Sequence, residues 1–506
     1  MQIAIADRSL DRTLFEDRGR AVLIAAAAAL LAASLAYTPL VLMLLLGLPA
    51  ALYFATRPFE LLLFTTFMIP FNFVFVVGGI PVAMELLKVA LGILFALQLL
   101  TSPRRFVRSR YQRPFLIILA LLLYSCLVAG NLPFVLKESV RLGSSLGLCV
   151  VAANLIDSRE KLRLVLKSIG ISSFLVAVYG LYQFAIQDFG WLFWLVNPRV
   201  ATALAPSRAV FYDWRNRITS VLTGEMEAGV YFNYCLPLAG ALFLSARARA
   251  GRIFWGSTVI LLFFGLLLTF TFGAWSALAA ALLYLTWRFR KRLPWRPAFA
   301  LLGLIGVAGG AVLAANYEVM MHRMELIAYD AWTRWEFWTL AWSEFKAHPI
   351  IGGGLGSFGP LVAASNFEWL ERLSPEWAST MSPHNAYMYV LSQFGLAGVL
   401  CIFGIFLHAV RAMLRLGREA GRNPGDELRW IALGLALSLL TALAGSLTDD
   451  GTLFGSHCGS MVWLVVGLTE AVARLGNQDS STRVSRSSSH ASDKIPQGAG
   501  ECTAPA

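Results

Sequence analysis

The chain reads RWEFW at residues 334–338, HPIIGGG at 348–354 and SPHN at 382–385, and hydrophobic runs lie on either side of this segment. Connections between structural elements usually span a handful of residues, so a polar and aromatic segment of about fifty residues is too long for a simple connector. The segment therefore predicts a fold of hydrophobic spans interrupted by one large loop. We expect the functional site in that loop.

The composition places the chain in a membrane. Hydrophobic residues make up 57% of the 506, charged residues 14%, and the mean hydropathy is +0.64. Charged residues form about a quarter of a soluble domain, so a soluble fold is excluded. The net charge of +12 comes from arginines in short clusters between hydrophobic runs. This distribution is typical of positive loops inside the cell and predicts no nucleic-acid partner.

The hydrophobic runs predict an all-α fold, a polytopic integral membrane helix bundle of about 14 transmembrane helices with a range of 11–14, because only helices satisfy the backbone in lipid. The predicted spans are 21–37, 39–55, 60–77, 82–100, 114–130, 139–156, 163–186, 227–246, 254–270, 272–287, 298–315, 385–410, 430–447 and 455–474.

Four arginine clusters orient these spans. They lie within 104–113, 247–252, 288–296 and 411–429, and with fourteen spans all of them fall on the side of the N-terminus. Both termini are therefore predicted in the cytoplasm, and two long loops on the outer face.

The predicted organisation has seven parts. These are a cytoplasmic segment (1–20), an N-terminal transmembrane bundle (21–186), a first outer loop (187–226), middle transmembrane helices (227–315), a large outer loop (316–384), C-terminal transmembrane helices (385–475) and a disordered cytoplasmic tail (476–506).

The large loop begins with a predicted helix from Asp330 to Lys346. Aromatic residues recur along it at three- and four-residue spacing, which is typical of an amphipathic helix lying at the membrane surface. Such a helix would hold Arg334 at the depth of a lipid headgroup, where a guanidinium suits a diphosphate. His348, Pro349 and the following glycines are expected to end the helix.

The loop ends at a candidate catalytic histidine. His384 follows Pro383 just before a span, and an imidazole at the outer membrane boundary can accept a proton from a sugar hydroxyl. The alternative is a purely structural histidine. Residues 354–359 match G-x-G-x-x-G but lie outside any βαβ unit, so the glycines are interpreted as a sharp turn or a close approach to substrate.

Arginines in the first outer loop break the positive-inside trend, which indicates an anionic ligand. Arg215 and Arg217 precede the span at 227 and could clamp phosphate or bind lipid headgroups. Glu225 and Glu227 could pair with arginine or bind sugar hydroxyls. The Asp449–Asp450 pair is expected to be a solvated turn.

The outer loops show no Asp-x-Asp motif and no His/Cys ligand cluster, and the six cysteines form no Cys-x-x-Cys pair. This pattern predicts no zinc site, no disulfide framework and no bound metal or other cofactor.

Taken in order, these motifs resemble one family. The helix from Arg334 to Trp338, the glycine-rich turn and the segment around His384 resemble the O-antigen ligase and Wzy-type polymerase superfamily over about residues 215–400. The motifs that carry the resemblance are Pro349-x-x-Gly352-Gly353-Gly354-x-Gly356, Pro383-His384-Asn385 and Gly395-x-x-Gly398.

The resemblance implies a multi-pass glycosyltransferase of the bacterial inner membrane with periplasmic active loops and a metal-independent, inverting mechanism. Its donor would be an undecaprenyl-diphosphate-linked oligosaccharide and its acceptor a glycan, with a flippase and a chain-length regulator as possible partners. Arg217 and Arg334 would bind the diphosphate, with Arg215 a weaker candidate. His384 would act on the acceptor hydroxyl as base or positioning group.

Two motifs depart from the family. Phe272 stands where family members often carry an arginine, within Thr269–Trp275. Residues Gly224–Glu227 replace an asparagine-centred motif. Because of the first departure, this chain lacks the arginine that would make a contact from the middle span. The second leaves the acceptor contacts undefined.

Three functions compete. A polymerase would join lipid-linked repeat units into O-antigen or exopolysaccharide, and a ligase would move the finished glycan to lipid A-core or protein. A transporter or flippase would need ionisable groups along a path through the membrane. Few such groups occur (Glu85, Lys88, Lys167), and Glu85 and Lys88 are expected to neutralise each other on one helical face.

Overall fold

The computed structural model describes residues 53–54, 56–71, 76–77, 80–81, 83–101, 106–186, 217–222, 224–290, 303, 306–307, 309–312, 314–365, 367, 381–418 and 427–492. The chain divides into two compact units, Met1–Leu61 and Leu62–Ala506. Of the first unit only residues 53–54 and 56–61 are described. The candidate site lies in the second.

The described part is almost entirely helical. One pair of two-residue antiparallel strands, β1 (Val76–Val77) and β2 (Ile80–Pro81), is the exception. The helices are α1 (Pro58–Met68), α2 (Ala83–Thr101), α3 (Gln112–Val128), α4 (Leu132–Leu155), α5 (Arg159–Ile186), α6 (Glu225–Ser245), α7 (Arg249–Leu268), α8 (Phe272–Phe289), α9 (Tyr317–Ala347), α10 (Phe358–Ala363), α11 (Ala386–Gly417), α12 (Glu427–Gly445), α13 (Gly451–Phe454) and α14 (Ser456–Ser492).

Seven of the described helices are long and apolar enough to cross a membrane. This confirms the prediction of an all-helical, multi-pass membrane protein, while the count of about 14 spans and the assignment of the loops to the periplasm remain predictions. The predicted spans 21–37 and 39–55 lie outside the described residues, apart from residues 53–54. The seven segments are Met84–Thr101, Arg159–Ile186, Glu225–Ser245, Arg249–Leu268, Ala386–Gly417, Glu427–Gly445 and His457–Gln478.

The predicted span 60–77 is not one continuous helix. α1 ends at Met68, and residues 76–77 are already a strand. Pro70 explains the break, because proline disfavours helical geometry in the residue before it and donates no backbone hydrogen bond.

The centre of the bundle is formed by α6 and α14. Within their apolar windows 72% and 83% of the residues are buried, compared with 22% for α2. α6 packs against α7 and α12, and α14 packs against α4. The outer surface of α2 remains apolar, as expected for a helix that faces lipid.

The predicted topology assigns certain helix ends to the same side of the membrane. In the structure these ends are hydrogen-bonded to one another. Val107 and Asn154 exchange hydrogen bonds of 2.8 and 3.2 Å at the end with the arginine clusters. At the other end the Ala386 amide donates to the Ser446 carbonyl at 2.8 Å. The second end carries the candidate site.

α9 begins earlier than the predicted helix 330–346 but ends where the sequence indicates, with His348 as its C-terminal cap. Phe337 is buried and packs edge-to-face on Phe358 of α10, with ring centroids 6.0 Å apart. Trp335 and Trp342 stay 64% and 47% exposed. One face of α9 is therefore anchored to protein, and its exposed tryptophans suit the membrane interface.

α11 is broken at Gly395, whose φ of 60° and ψ of −161° are not helical. The glycine-rich turn fills the break: the amides of Gly353 and Gly354 donate to the carbonyls of Ser392 and Gln393 at 2.9 and 3.1 Å. In return the Leu396 amide donates to the Pro349 carbonyl at 2.9 Å. The turn thus satisfies backbone groups that the break would otherwise leave unpaired inside an apolar segment.

The glycines of this turn are needed for their backbone geometry. Gly352, Gly354 and Gly356 have φ angles of 72°, 91° and 85°. Residues other than glycine rarely adopt such angles. The prediction of a sharp turn is confirmed.

Disorder is predicted for residues 476–506, of which 493–506 lie outside the described residues. The backbone of α14 remains helical as far as Ser492. No proline or glycine interrupts residues 477–492, so the last span has no local signal that stops it.

Candidate functional site

The candidate site forms where the turn after α12 meets the segment that precedes α11. Asn385 joins the two: its side-chain nitrogen donates to the Leu447 carbonyl at 3.0 Å. Its side-chain oxygen accepts from the amides of Tyr387 and Met388 at 2.9 and 3.1 Å and so caps α11. The sequence Pro383-His384-Asn385 thus sets where the helix begins and fixes the position of the histidine.

His384 has a left-handed backbone with φ of 50°, a geometry that costs a residue with a side chain about 1 kcal/mol or more. The preceding Pro383 carbonyl accepts a hydrogen bond from the indole nitrogen of Trp338 at 3.1 Å. The His384 ring packs beside Phe337 with centroids 6.0 Å apart. These contacts from α9 hold the strained loop and aim the imidazole, of which 44% stays accessible.

Two carboxylates lie beside the imidazole. His384 Nδ1 is 4.0 Å from Asp450 Oδ1, and that oxygen accepts a hydrogen bond from Ser382 Oγ at 2.8 Å. Asp449 Oδ1 accepts from the Gly451 amide at 3.1 Å. The Asp450 side chain is only 11% exposed, so the expectation of a solvated turn was wrong. Burial and fixed hydrogen bonds mark these acids as part of the site.

The protonation states follow from this crowding. Loss of hydration lowers the pKa of His384 below its usual value; the Asp449 anion opposes this effect and the Arg334 cation adds to it. Loss of hydration, reinforced by the neighbouring Asp450, raises the pKa of Asp449 to about 6, and it also raises the pKa of Asp450. At neutral pH the imidazole is therefore uncharged and able to accept a proton.

The same three side chains could hold a metal ion, because their donor atoms lie within 4.8 Å of one another. No motif in the sequence indicates this group, since the histidine and the aspartates come from different loops. Asp449 and Asp450 already accept hydrogen bonds, and Arg334 adds a positive charge nearby. The hydrogen bonds are compatible with metal ligation, because ligating carboxylates are commonly hydrogen-bonded, whereas the positive charge of Arg334 works against a bound cation.

Arg334 reaches the site from α9. Its Nη1 donates to the main-chain oxygen of Thr448 at 2.8 Å, and its charge acts on both His384 and Asp450. The structure therefore brings the two residues predicted as catalytic into one site. Their chemical roles remain a prediction.

Arg217 lies in a buried pocket of protein atoms and is 5% exposed. Its guanidinium donates to the carbonyls of Thr269 and Phe270 at 3.0 and 3.5 Å and pairs with Glu225 at 2.9 Å. Phe270 has a left-handed φ of 49°, which turns its carbonyl toward the arginine. Glu225 is thus an arginine partner, one of the two roles that the sequence left open.

The turn that carries Arg217's partners touches the main site. Gly273 packs so closely on the Thr448 side chain that a Cβ would not fit. Arg215, the weaker diphosphate candidate, lies outside the described residues.

A second histidine–carboxylate pair was missed by the sequence analysis. His457 Nδ1 lies 2.7 Å from Glu227 Oε1, and the histidine is fully buried at the start of the last span. Glu227 also raises the pKa of Asp449 through its charge, so this pair borders the site. The signal in the sequence was a polar His457 within an otherwise apolar run, close to the Asp449–Asp450 pair.

The fold and the site define a helical multi-pass membrane protein whose histidine, aspartates and arginines gather at one end of the bundle. Residues 257–403 match the family model described as O-Antigen ligase (Wzy_C). This match confirms the resemblance drawn from the motifs. It includes Arg334 and His384 and leaves Arg217 and the two aspartates outside. No curated protein matches the chain.

Proposed function

We propose that this protein is a glycosyltransferase of the bacterial inner membrane that polymerises undecaprenyl-diphosphate-linked repeat units into O-antigen or exopolysaccharide at the periplasmic face. The observation that carries the proposal is the convergence of His384, Asp450 and Arg334 in one site. The family match over the segment that supplies Arg334 and His384 supports the substrate class.

The acceptor is activated by His384. A neutral imidazole accepts the proton of the acceptor hydroxyl as the oxygen attacks the anomeric carbon of the donor. Asp450, 4.0 Å away, stabilises the imidazolium that forms and orients the ring. Ser382 keeps this carboxylate in place through its 2.8 Å hydrogen bond.

The leaving group is stabilised by arginine. The bond between the anomeric carbon and the diphosphate oxygen breaks, its electron pair passes to that oxygen, and attack from the opposite face inverts the configuration. Arg334 supplies a permanent positive charge where this negative charge grows, and a preplaced charge costs no rearrangement during the reaction. Such a step needs no metal.

Arg217 and Arg215 are proposed to help bind the diphosphate. Glu225 neutralises part of the Arg217 charge in the structure at 2.9 Å. A diphosphate near Thr269 would compete with Glu225 for the guanidinium. Binding through Arg217 thus requires this ion pair to loosen, which makes Arg334 the more available of the two cations.

A second candidate is an O-antigen ligase that transfers finished glycan to lipid A-core or protein, and the description of the matching family favours it. Polymerase and ligase use the same donor chemistry and differ in acceptor. A transporter is less well supported: Glu85 and Lys88 pair at 3.9 Å, as predicted, and so partly neutralise each other. A flippase and a chain-length regulator are proposed partners of the polymerase.

The test supplies purified protein with undecaprenyl-diphosphate oligosaccharide and follows product length by electrophoresis. Growth into a ladder from the donor alone supports the polymerase, and transfer only when lipid A-core is added supports the ligase. His384→Ala and Arg334→Ala should each abolish transfer. His322→Ala, an exposed histidine on α9, and Arg252→Ala are matched controls that should retain activity. A fully active His384→Ala variant would end the proposed mechanism.

A further inference from the structure

A cavity of 390 Å³ opens at the end of the bundle opposite to the candidate site. The arginines Arg108, Arg110 and Arg474 line it together with a single acid, Glu470. It lies where α3 begins, α4 ends and the last span ends, so it borders a membrane surface. The arginine distribution assigns this surface to the cytoplasm.

The walls of the cavity are held in place by hydrogen bonds. Glu470 Oε1 accepts from Ser109 Oγ and from the Arg110 amide, both at 2.9 Å. Arg474 Nη2 donates to the Ile156 carbonyl at 2.6 Å. These hydrogen bonds therefore connect the loop before α3 to α14, and α14 to the end of α4, so the elements around the cavity are held together.

The charge of the cavity is positive. Three arginines face one carboxylate, and hydrogen bonds to the loop already engage that carboxylate. Arg108 has no ion-pair partner among the described residues, and its side chain is exposed. A cavity lined by three arginines and one acid attracts an anion, and guanidinium groups suit the oxygens of a phosphate.

The surroundings of the cavity are apolar on the lipid side. Phe106 and Val107 are 44% and 43% exposed next to Arg108. The cavity lies at the level where the spans end, and it combines arginines with neighbouring exposed apolar side chains. This combination suits a phospholipid, whose phosphate would meet the arginines and whose acyl chains would meet the apolar side chains. A free phosphate ion has no apolar groups and so would not be stabilised by contact with Phe106 and Val107.

We propose that this cavity binds the headgroup phosphate of an anionic phospholipid of the inner leaflet. The guanidinium groups hold the phosphate, and Phe106 and Val107 contact the first acyl segments. The site is separate from the proposed glycosyl transfer, and its test does not depend on that activity.

The experiment titrates the purified protein in detergent with phosphatidylglycerol and with phosphatidylcholine and counts bound lipids by native mass spectrometry. Phosphatidylglycerol should bind at least tenfold more tightly. Arg108→Glu and the double variant Arg108→Ala/Arg110→Ala should lose this preference. Arg252→Ala/Arg288→Ala removes two exposed arginines from α7 and α8 and is the matched control.

Equal binding of the two lipids, or an unchanged preference in the Arg108→Glu variant, would overturn the proposal. A third arm adds millimolar inorganic phosphate: failure to displace phosphatidylglycerol supports a lipid site, and full displacement would show a site for free phosphate instead. Thermal unfolding of each variant establishes that it folds. Arg108→Glu should fold normally, because no described contact depends on this side chain.

Discussion

The Nη1 atom of Arg334 lies 2.8 Å from the main-chain oxygen of Thr448, and this hydrogen bond ties α9 to the turn that carries both aspartates of the site. The contact fixes the distance between a permanent positive charge and the His384–Asp450 pair. In the proposed reaction these groups act on opposite partners, the leaving diphosphate and the attacking hydroxyl. The distance between Arg334 and the His384–Asp450 pair must therefore stay constant while the glycosyl group is transferred.

Replacing Asp450 by asparagine should lower the rate of transfer by about 100-fold, because an amide cannot stabilise the imidazolium formed at His384. Ser382→Ala removes only the hydrogen bond that positions the carboxylate and should cost about tenfold. Rates of transfer with saturating donor measure both effects. Equal activity of Asp450→Asn and the unchanged protein would exclude the carboxylate from catalysis.

The acid limb of the pH–rate profile should lie below the usual histidine pKa of 6.5, because transfer needs a neutral His384 and partial loss of hydration lowers its pKa. The negative charge of Asp449 raises that pKa, so Asp449→Asn should move the acid limb of the pH–rate profile to lower pH. Asp157→Asn, a half-exposed acid outside the site, is the control and should leave the limb in place. A shift to higher pH would contradict the assignment.

Chelators should leave the activity unchanged. His384, Asp449 and Asp450 have the donor atoms for a metal, but the proposed base must be free to accept a proton. Transfer is measured after treatment with EDTA and again with added Mg²⁺ or Zn²⁺. Zn²⁺ should inhibit if it occupies the three donors, whereas loss of activity in EDTA with recovery in Mg²⁺ would replace the protonic mechanism by a metal-dependent one.

Gly395→Ala should destabilise the protein by roughly 2 kcal/mol or more, because the glycine has φ of 60° and a Cβ would meet the main chain of Ile350. Gly404→Ala in the same helix is the matched control, since its Cβ position is open and alanine favours helix. Unfolding in detergent gives both values. Similar midpoints for the two variants would show that the break in α11 tolerates a side chain.

The sequence allowed much of this architecture to be predicted, because apolar runs of span length and aromatic periodicity are local signals. The end of α9 at His348 and the sharp turn at Gly352 and Gly354 follow from proline and glycine, which act within a few residues. The convergence of Arg334 and His384 was expected, since both lie in one loop.

The partners of these residues could not be predicted. Asp450 meets His384 only because α11 and α12 pack side by side, and no spacing in the sequence records that contact. The pair formed by His457 and Glu227 joins the ends of two separate spans for the same reason. Tertiary packing, and not local pattern, decides which acid faces which histidine.

Arg217 lies close in space to Phe272, the position where members of the resembled family often carry an arginine. Its guanidinium lies against the carbonyls of Thr269 and Phe270, in the same turn. The cation beside this turn is held by a segment some fifty residues earlier in the chain. The positive charge at this turn therefore depends on a residue that is distant in the sequence.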